Sequence, residues 1–399
     1  MLVIQNAEVF SPAPLGKLDI LVGGAKILAM EPHIDPAVLP GETEVLDARG
    51  MLLVPGFIDG HQHFTGGGGE GGFQTRVPEL TISMNFSNGV TTAVGLLGTD
   101  SLTRSIENLY AKTQAFNAEG MTAFMLTGAY WHPSPTLTGS VARDMVFLQP
   151  VIGVKLALAD SRGPHIDAKD LAALASDVQV AALVANKPGI ITVHTGIRTQ
   201  GLDLIFEIVE QFEIRASIFV PTHINRKGGK LTSQALALAE KGCVVDATCS
   251  QAPLEPDSPR LTAADFACMA RDNGLLGQVS FSSDAGGSMP IWNQDRSRII
   301  GMGVGMPSSL LFELDLLVNK KGVPLEQALM PLTTTPARIY GLENSKGALR
   351  VGMDADLLTI DPASFEIRDV VALGSVAVRN KIVEKKGYFE HGSDTSIHA

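Results

Sequence analysis

The sequence predicts an α/β protein: a (β/α)8 TIM-type barrel that carries a small β-sandwich built from the two chain ends. Three observations predict it. Apolar strand candidates recur eight times between residues 52 and 287, with amphipathic stretches between them. Both ends of the chain break instead into short strand-like pieces separated by turn residues. The 399 residues are too many for one small domain and suit a large barrel with a smaller unit beside it.

At the start, "MLVIQNAEVF", "LDILVGGAKILAM" and "TEVLDARG" read as strands of an antiparallel unit. "ADLLTI" and "VVALGSVAVRNKIVEKKG" near the other end read the same way, so the two ends are expected to assemble together. This puts the small domain at 1–54 and 346–399, with the barrel inserted at 55–345. The barrel strands are expected in "LLVPGFIDGHQH", "TTAVGLLG", "TAFMLTGAY", "VIGVKLAL", "GIITVHTG", "SIFVPTHIN", "CVVDATCS" and "QVSFSSDAGG". Stretches such as "DAKDLAALASDVQVAALVANK" and "LTSQALALAEKG" carry apolar residues at helical spacing, with Gly or Lys near their ends. Eight alternations favour a closed barrel over a doubly wound sheet. A doubly wound fold would also want a phosphate-binding fingerprint, and "GGGGEGG" does not match GxGxxG opening a helix.

Hydrophobic residues make up 45% of the chain and charged residues 18%, enough apolar material for a sizeable core. The net charge of −11 argues against a nucleic-acid or anionic-membrane partner, because no basic block exists to neutralise phosphates. Cys243, Cys249 and Cys268 are an odd number without CxxC spacing, which fits a reducing compartment. The N-terminus lacks the pattern of a signal peptide, and no apolar run approaches the ~20 residues of a membrane span. The expectation is a soluble, cytoplasmic protein.

The polar residues of the barrel strands fall in a pattern. His61 and His63 end the first strand and point the same way, since side chains alternate along a strand. Lys155 sits in the fourth, His194 in the fifth, His223 in the sixth and Asp284 in the eighth. In a barrel the carboxyl ends of all strands meet at one face, so these six would converge on one spot. A lone histidine is more often a core or rim residue, and His33, His132, His165, His391 and His398 are read that way. Four histidines and an aspartate all at strand ends are a different matter, and suggest a metal. Lys155 cannot ligate a cation as an ammonium, and is costly to bury charged between "VIGV" and "LALA". Either its pKa falls, making it a candidate amine nucleophile, or carbon dioxide converts it to a carbamate able to bridge two metals.

This pattern of His-x-His, Lys, His, His and Asp resembles the binuclear branch of the amidohydrolase superfamily. "PGFIDGHQHFTGGGGEGG", "VGLLGTD", "MLTGAYWHPSPTLTGS", "VIGVKLALADSR", "PTHINR" and "FSSDAGGS" resemble, within it, the bacterial isoaspartyl dipeptidases over essentially the whole chain. The resemblance implies that His61, His63 and Asp284 hold one metal, that His194 and His223 hold the second, and that N6-carboxylated Lys155 bridges them. Two Zn2+ per subunit are implied, which mixed imidazole and oxygen ligands suit. Gly68, Gly69, Glu70, Thr99, Tyr130, Arg162, Arg226 and Ser288 match positions that line the family's substrate pocket. Gly60, Gln62, Thr195 and Ala285-Gly286 depart from the pattern. A homo-oligomer, such as an octamer, is also implied.

The implied reaction is metal-dependent hydrolysis of the β-aspartyl bond of an isoaspartyl dipeptide, releasing L-aspartate and an amino acid. A hydroxide between two metals is a nucleophile at neutral pH, because coordination lowers the pKa of water to about 7. Tyr130 would help stabilise the oxyanion, and Asp284 would carry a proton from the hydroxide to the departing amine. Glu70 is a partner for an ammonium, and Arg162 and Arg226 for two carboxylates. The glycines around Glu70 would let backbone approach the ligand. The alternatives are a hydantoinase- or dihydropyrimidinase-like enzyme, an N-acyl-D-amino-acid deacylase, or a non-catalytic barrel scaffold.

Overall fold

The computed structural model describes residues 1–226, 228–250, 260–293 and 298–390. Eight parallel strands follow one another in chain order: β1 (Phe57–Gln62), β2 (Val90–Gly95), β3 (Thr122–Gly128), β4 (Val151–Leu158), β5 (Ile190–Thr195), β6 (Phe219–Thr222), β7 (Val245–Thr248) and β8 (Val279–Ser282). A parallel bridge joins Gln62, the last residue of β1, to Ala285 just past β8, and the His63 N–H donates to the Ala285 carbonyl at 2.7 Å, so the first and last strands meet. All eight residues of β4 are buried, as expected of a strand covered on both faces.

The helices between the strands are α1 (Ile82–Phe86), α2 (Ile106–Ala118), α3 (Val141–Phe147), α4 (Ala168–Ala185), α5 (Asp203–Gln211), α6 (Lys230–Glu240) and α7 (Ala263–Asp272). The α4 helix begins where Asp167 and Asp170 form a reciprocal capping box and ends at Asn186 in the left-handed region, φ 51°. After β8 comes an antiparallel hairpin, β9 (Ser288–Trp292) and β10 (Ile299–Val304), before α8 (Ser308–Asp315). The sequence gives no clear sign of this hairpin. Among the described residues no helix is long and apolar enough to cross a membrane.

"LLVPGFIDGHQH" is two strands rather than one. Leu52–Pro55 pairs with Leu357–Ile360 and with Leu2–Phe10, whereas β1 starts at Phe57. Gly56 is the joint, and a Cβ there would run into the Thr91 side chain. The terminal segments build one nine-stranded sheet around its own core, which includes Ile4, Val9, Ile20, Leu53, Leu357 and Val371. Most of its pairings are antiparallel, as expected. Leu2–Phe10, however, runs parallel to Glu44–Asp47 and to Leu52–Pro55.

Packing inside the barrel leaves no room at Gly153 of β4, where a Cβ would land on the Ile190 carbonyl of β5. Gly153→Ala is therefore expected to lower stability by about 2 kcal/mol, the usual scale of overpacking. A urea denaturation midpoint equal to that of the parent would contradict it.

Candidate active site

The six residues expected to converge do so. His61 is the fifth residue of β1 and His63 lies just beyond it; Lys155 is the fifth residue of β4 and His194 of β5. His223 directly follows β6, and Asp284 comes two residues after β8. Lys155 is thus inside its strand rather than at its end. His223 and Asp284 take φ of 66° and 54°, a region costly for residues with side chains and often held at functional sites.

Nε2 of His63 is 3.1 Å from Asp284 Oδ1, and Nε2 of His61 is 3.4 Å from the same oxygen. Lys155 Nζ is 3.3 Å from His61 Nε2. The His61 and His223 rings are 5.1 Å apart, and those of His194 and His223 are 4.6 Å apart. Ligand atoms of His61, His63 and Asp284 all lie within 4.8 Å of one another, a grouping able to hold a metal ion. The Nδ1 atoms of His61 and His63 are buried without a hydrogen-bond partner. Donor atoms so converged, with lone pairs unused, fit a divalent cation.

Burial dominates the electrostatics. It drives His61 and His223 well below the usual histidine range and His194 to about 3, so all three are neutral and able to ligate. Burial likewise lowers the fully buried Lys155 amine to about 7. At Asp284 burial pushes upward, but the His63 hydrogen bond and the nearby His61 and Arg226 outweigh it and hold the carboxyl below its ordinary value. Burial pushes the Tyr130 phenol up, so it remains a donor, 2.7 Å from His194 Nδ1.

A cavity of about 510 Å³ opens over this cluster, and all of the expected substrate-binding residues except Gly69 line it. Glu70 accepts hydrogen bonds from Ser288 (2.8 Å) and Thr99 (3.2 Å) and pairs with Arg162 at 3.3 Å. Arg226 pairs with Asp284 at 2.7 Å. The glycines also have a reason inside the loop itself. A Cβ at Gly66 or Gly68 would strike the Val77 or Thr75 carbonyl, so the residues are small because the loop folds back on itself. Gly67 and Gly68 do line the cavity. Among the departures from the family pattern, Thr195 lines the cavity. Gln62 instead bonds to Asp59 and Asn85, and Gly60 packs against Tyr340.

Several contributing residues are not singled out by the sequence. Asp160 bonds both His194 and Arg162. Asp59 accepts from the backbone N–H groups of His61 (3.3 Å) and Ser283 (3.1 Å), beside two of the cluster residues. Buried Arg104 donates to the carbonyls of Thr65, Gly67 and Val77 and so clasps the glycine loop. Asp59 carries a signal of its own, two residues before His61 on the same strand face. Asp160 and Arg104 lie in loops, where no periodicity marks them. Of the histidines read as structural, His33 and His165 are exposed and His132 is half-buried, whereas His391 and His398 lie outside the described residues.

The amidohydrolase family model matches residues 52–387. A solved beta-aspartyl dipeptidase from Fervidobacterium islandicum AW-1, in complex with beta-Asp-Leu dipeptide, is 39% identical with a TM-score of 0.88, and the match covers 96% of this chain and 98% of that one. A solved D-hydantoinase shares the fold at 18% identity and a TM-score of 0.68, over 97% of each chain. The dihydroorotase of Aquifex aeolicus (strain VF5) is 26% identical over 90% of this chain and 89% of its own length. With a barrel of this topology and a family match over most of its length, the chain belongs to the amidohydrolase family.

Proposed function

We propose that the protein hydrolyses the β-aspartyl bond of isoaspartyl dipeptides with two divalent metal ions, zinc in the first instance, releasing L-aspartate and an amino acid. The observation that carries this reading is Glu70, held by Ser288 and Thr99 in the same cavity as the histidine–aspartate cluster. The 39% identity to a beta-aspartyl dipeptidase supports it. His61, His63 and Asp284 would hold one ion, His194 and His223 the other, and Lys155, as a carbamate, would join the two. When bound, such a pair supplies an activated water at neutral pH and polarises the scissile carbonyl.

The chain's own residues do the rest. Asp284, kept ionised, takes the proton of the attacking water and gives it to the departing amine. Tyr130, kept protonated, donates to the carbonyl oxygen as charge builds there. Glu70 pairs with the free α-ammonium, and Arg162 and Arg226 receive the two carboxylates. Arg226 already stands beside Asp284, so the carboxylate it receives lies near the proton carrier.

The 26% identity to a dihydroorotase favours a second reading, hydrolysis of a cyclic amide. Such substrates offer no ammonium to Glu70. Purified protein of measured metal content should be tested on β-aspartyl dipeptides, dihydroorotate, hydantoins and N-acetyl amino acids. Turnover is expected with the β-aspartyl dipeptides. Cleavage of the cyclic amides without them would replace the first reading by the second.

A further inference from the structure

Asp160 lies just past β4 and is 7% exposed. Its carboxylate is used by four N–H groups. Oδ1 accepts from the Arg162 backbone N–H at 2.8 Å and from Arg162 Nε at 3.0 Å. Oδ2 accepts from Arg162 Nη2 at 3.0 Å and from His194 Nε2 at 2.9 Å. One carboxylate therefore touches a residue of the histidine cluster and a residue of the charged end of the cavity.

We propose that Asp160 is a positioning residue that ties the ligating form of His194 to the orientation of the Arg162 guanidinium. The substrate half of this inference rests on the dipeptidase reading, and the metal half does not. A neutral imidazole carries one N–H. By accepting at Nε2, Asp160 keeps the hydrogen there and leaves the Nδ1 lone pair, 2.7 Å from the Tyr130 hydroxyl, for a cation. By accepting from Nε and Nη2 together, it fixes the guanidinium plane and leaves Nη1 toward Glu70, 3.3 Å away.

Asp160→Asn keeps the shape and tests the link, because its NH2 must face two N–H donors whichever way the amide turns. Placed at Oδ2, it asks Nε2 of His194 to accept, which moves the ring hydrogen to Nδ1 and obstructs ligation. Placed at Oδ1, it breaks the contacts to the Arg162 backbone and Nε. Asp160→Ala removes all four bonds. Zinc affinity is read at equilibrium by competition with a chromophoric chelator, and KM with β-aspartyl-leucine.

Asp160→Ala is expected to weaken zinc binding about 10- to 100-fold and to raise KM about tenfold. Asp160→Asn is expected to move both in the same directions. In an Arg162→Met background, adding Asp160→Ala should weaken zinc by the same factor yet leave KM where Arg162→Met alone set it. A general loss of structure would not give that split. Parental zinc affinity in both Asp160 variants, or KM penalties that simply multiply, would overturn the proposal. The zinc measurement needs no substrate, so it decides the metal link even for a protein that cleaves no β-aspartyl dipeptide. If the parent cleaves the dipeptide while the variants bind zinc normally, the link fails and the dipeptidase reading stands.

Discussion

Lys155→Ala is expected to lose about 10³-fold in amide hydrolysis, ~4 kcal/mol in barrier, and to regain part of it when short carboxylic acids are added. The expectation follows from where the amine lies. Lys155 is fully buried in β4, has no carboxylate within ion-pair distance among the described residues, and stands 3.3 Å from an imidazole nitrogen. A buried ammonium there would be costly, and burial accordingly lowers its pKa to about 7. The neutral amine can attack carbon dioxide: a C–N bond forms, one proton leaves, and an anionic oxygen ligand takes the place of the amine.

A carboxylic acid bound in the space left by the lysine side chain supplies the same anion. The pH dependence has a definite sign. The reactive fraction of the amine is half at about pH 7 and falls about tenfold per unit below it. Reactivation of metal-stripped protein by zinc at a fixed concentration of dissolved carbon dioxide should therefore be fast at pH 8 and slow at pH 6. Intact metal binding in Lys155→Ala with no rescue by acetate or propionate would count against the carbamate. A rate of reactivation that goes on climbing about tenfold per pH unit above pH 8 would count against the lowered pKa.

Glu70→Gln is expected to retain its metals and lose about 100-fold in kcat/KM toward β-aspartyl-leucine, mostly through KM. The Glu70 side chain is 13% exposed, and leaving a charged partner unpaired in such a setting costs about 2–5 kcal/mol. Glutamine keeps the shape and can still accept from Ser288 and Thr99, so the change isolates the charge. A dipeptide analogue without the α-amino group provides the control. If Glu70 acts on the ammonium, the variant and the parent should handle the analogue nearly equally. An equal loss on both substrates would show that Glu70 serves the loop or Arg162 instead.

The barrel and its six converging residues were legible because each rests on a local signal. Fully apolar runs such as Val151–Leu158 mark buried strands, and a polar residue in such a run stands out. The rule that barrel strands present one functional face then turns residues far apart in sequence into neighbours. What was not legible depends on long-range geometry. The break at Gly56 is dictated by Thr91 and by pairing with Leu357–Ile360, neither visible in the run itself. The parallel pairings of Leu2–Phe10 depend on how the chain returns after Lys26–Glu31. Asp160 and Arg104 look like ordinary loop charges until folding sets His194, Arg162 and the glycine loop against them. The packing reason for the glycines is not legible because the obstacle at Gly66 and Gly68 is backbone several residues farther along.

Leu52–Pro55 lies between a strand from the beginning of the chain and one from near its end, and only Gly56 separates it from the strand carrying His61. During synthesis the ribosome delivers the whole barrel before it delivers Leu357–Ile360. The segment leading into the first histidines thus keeps one flank unpaired until Leu357–Ile360 has been made. A chain arrested before that point holds every candidate ligand and still lacks the splint beside the first two.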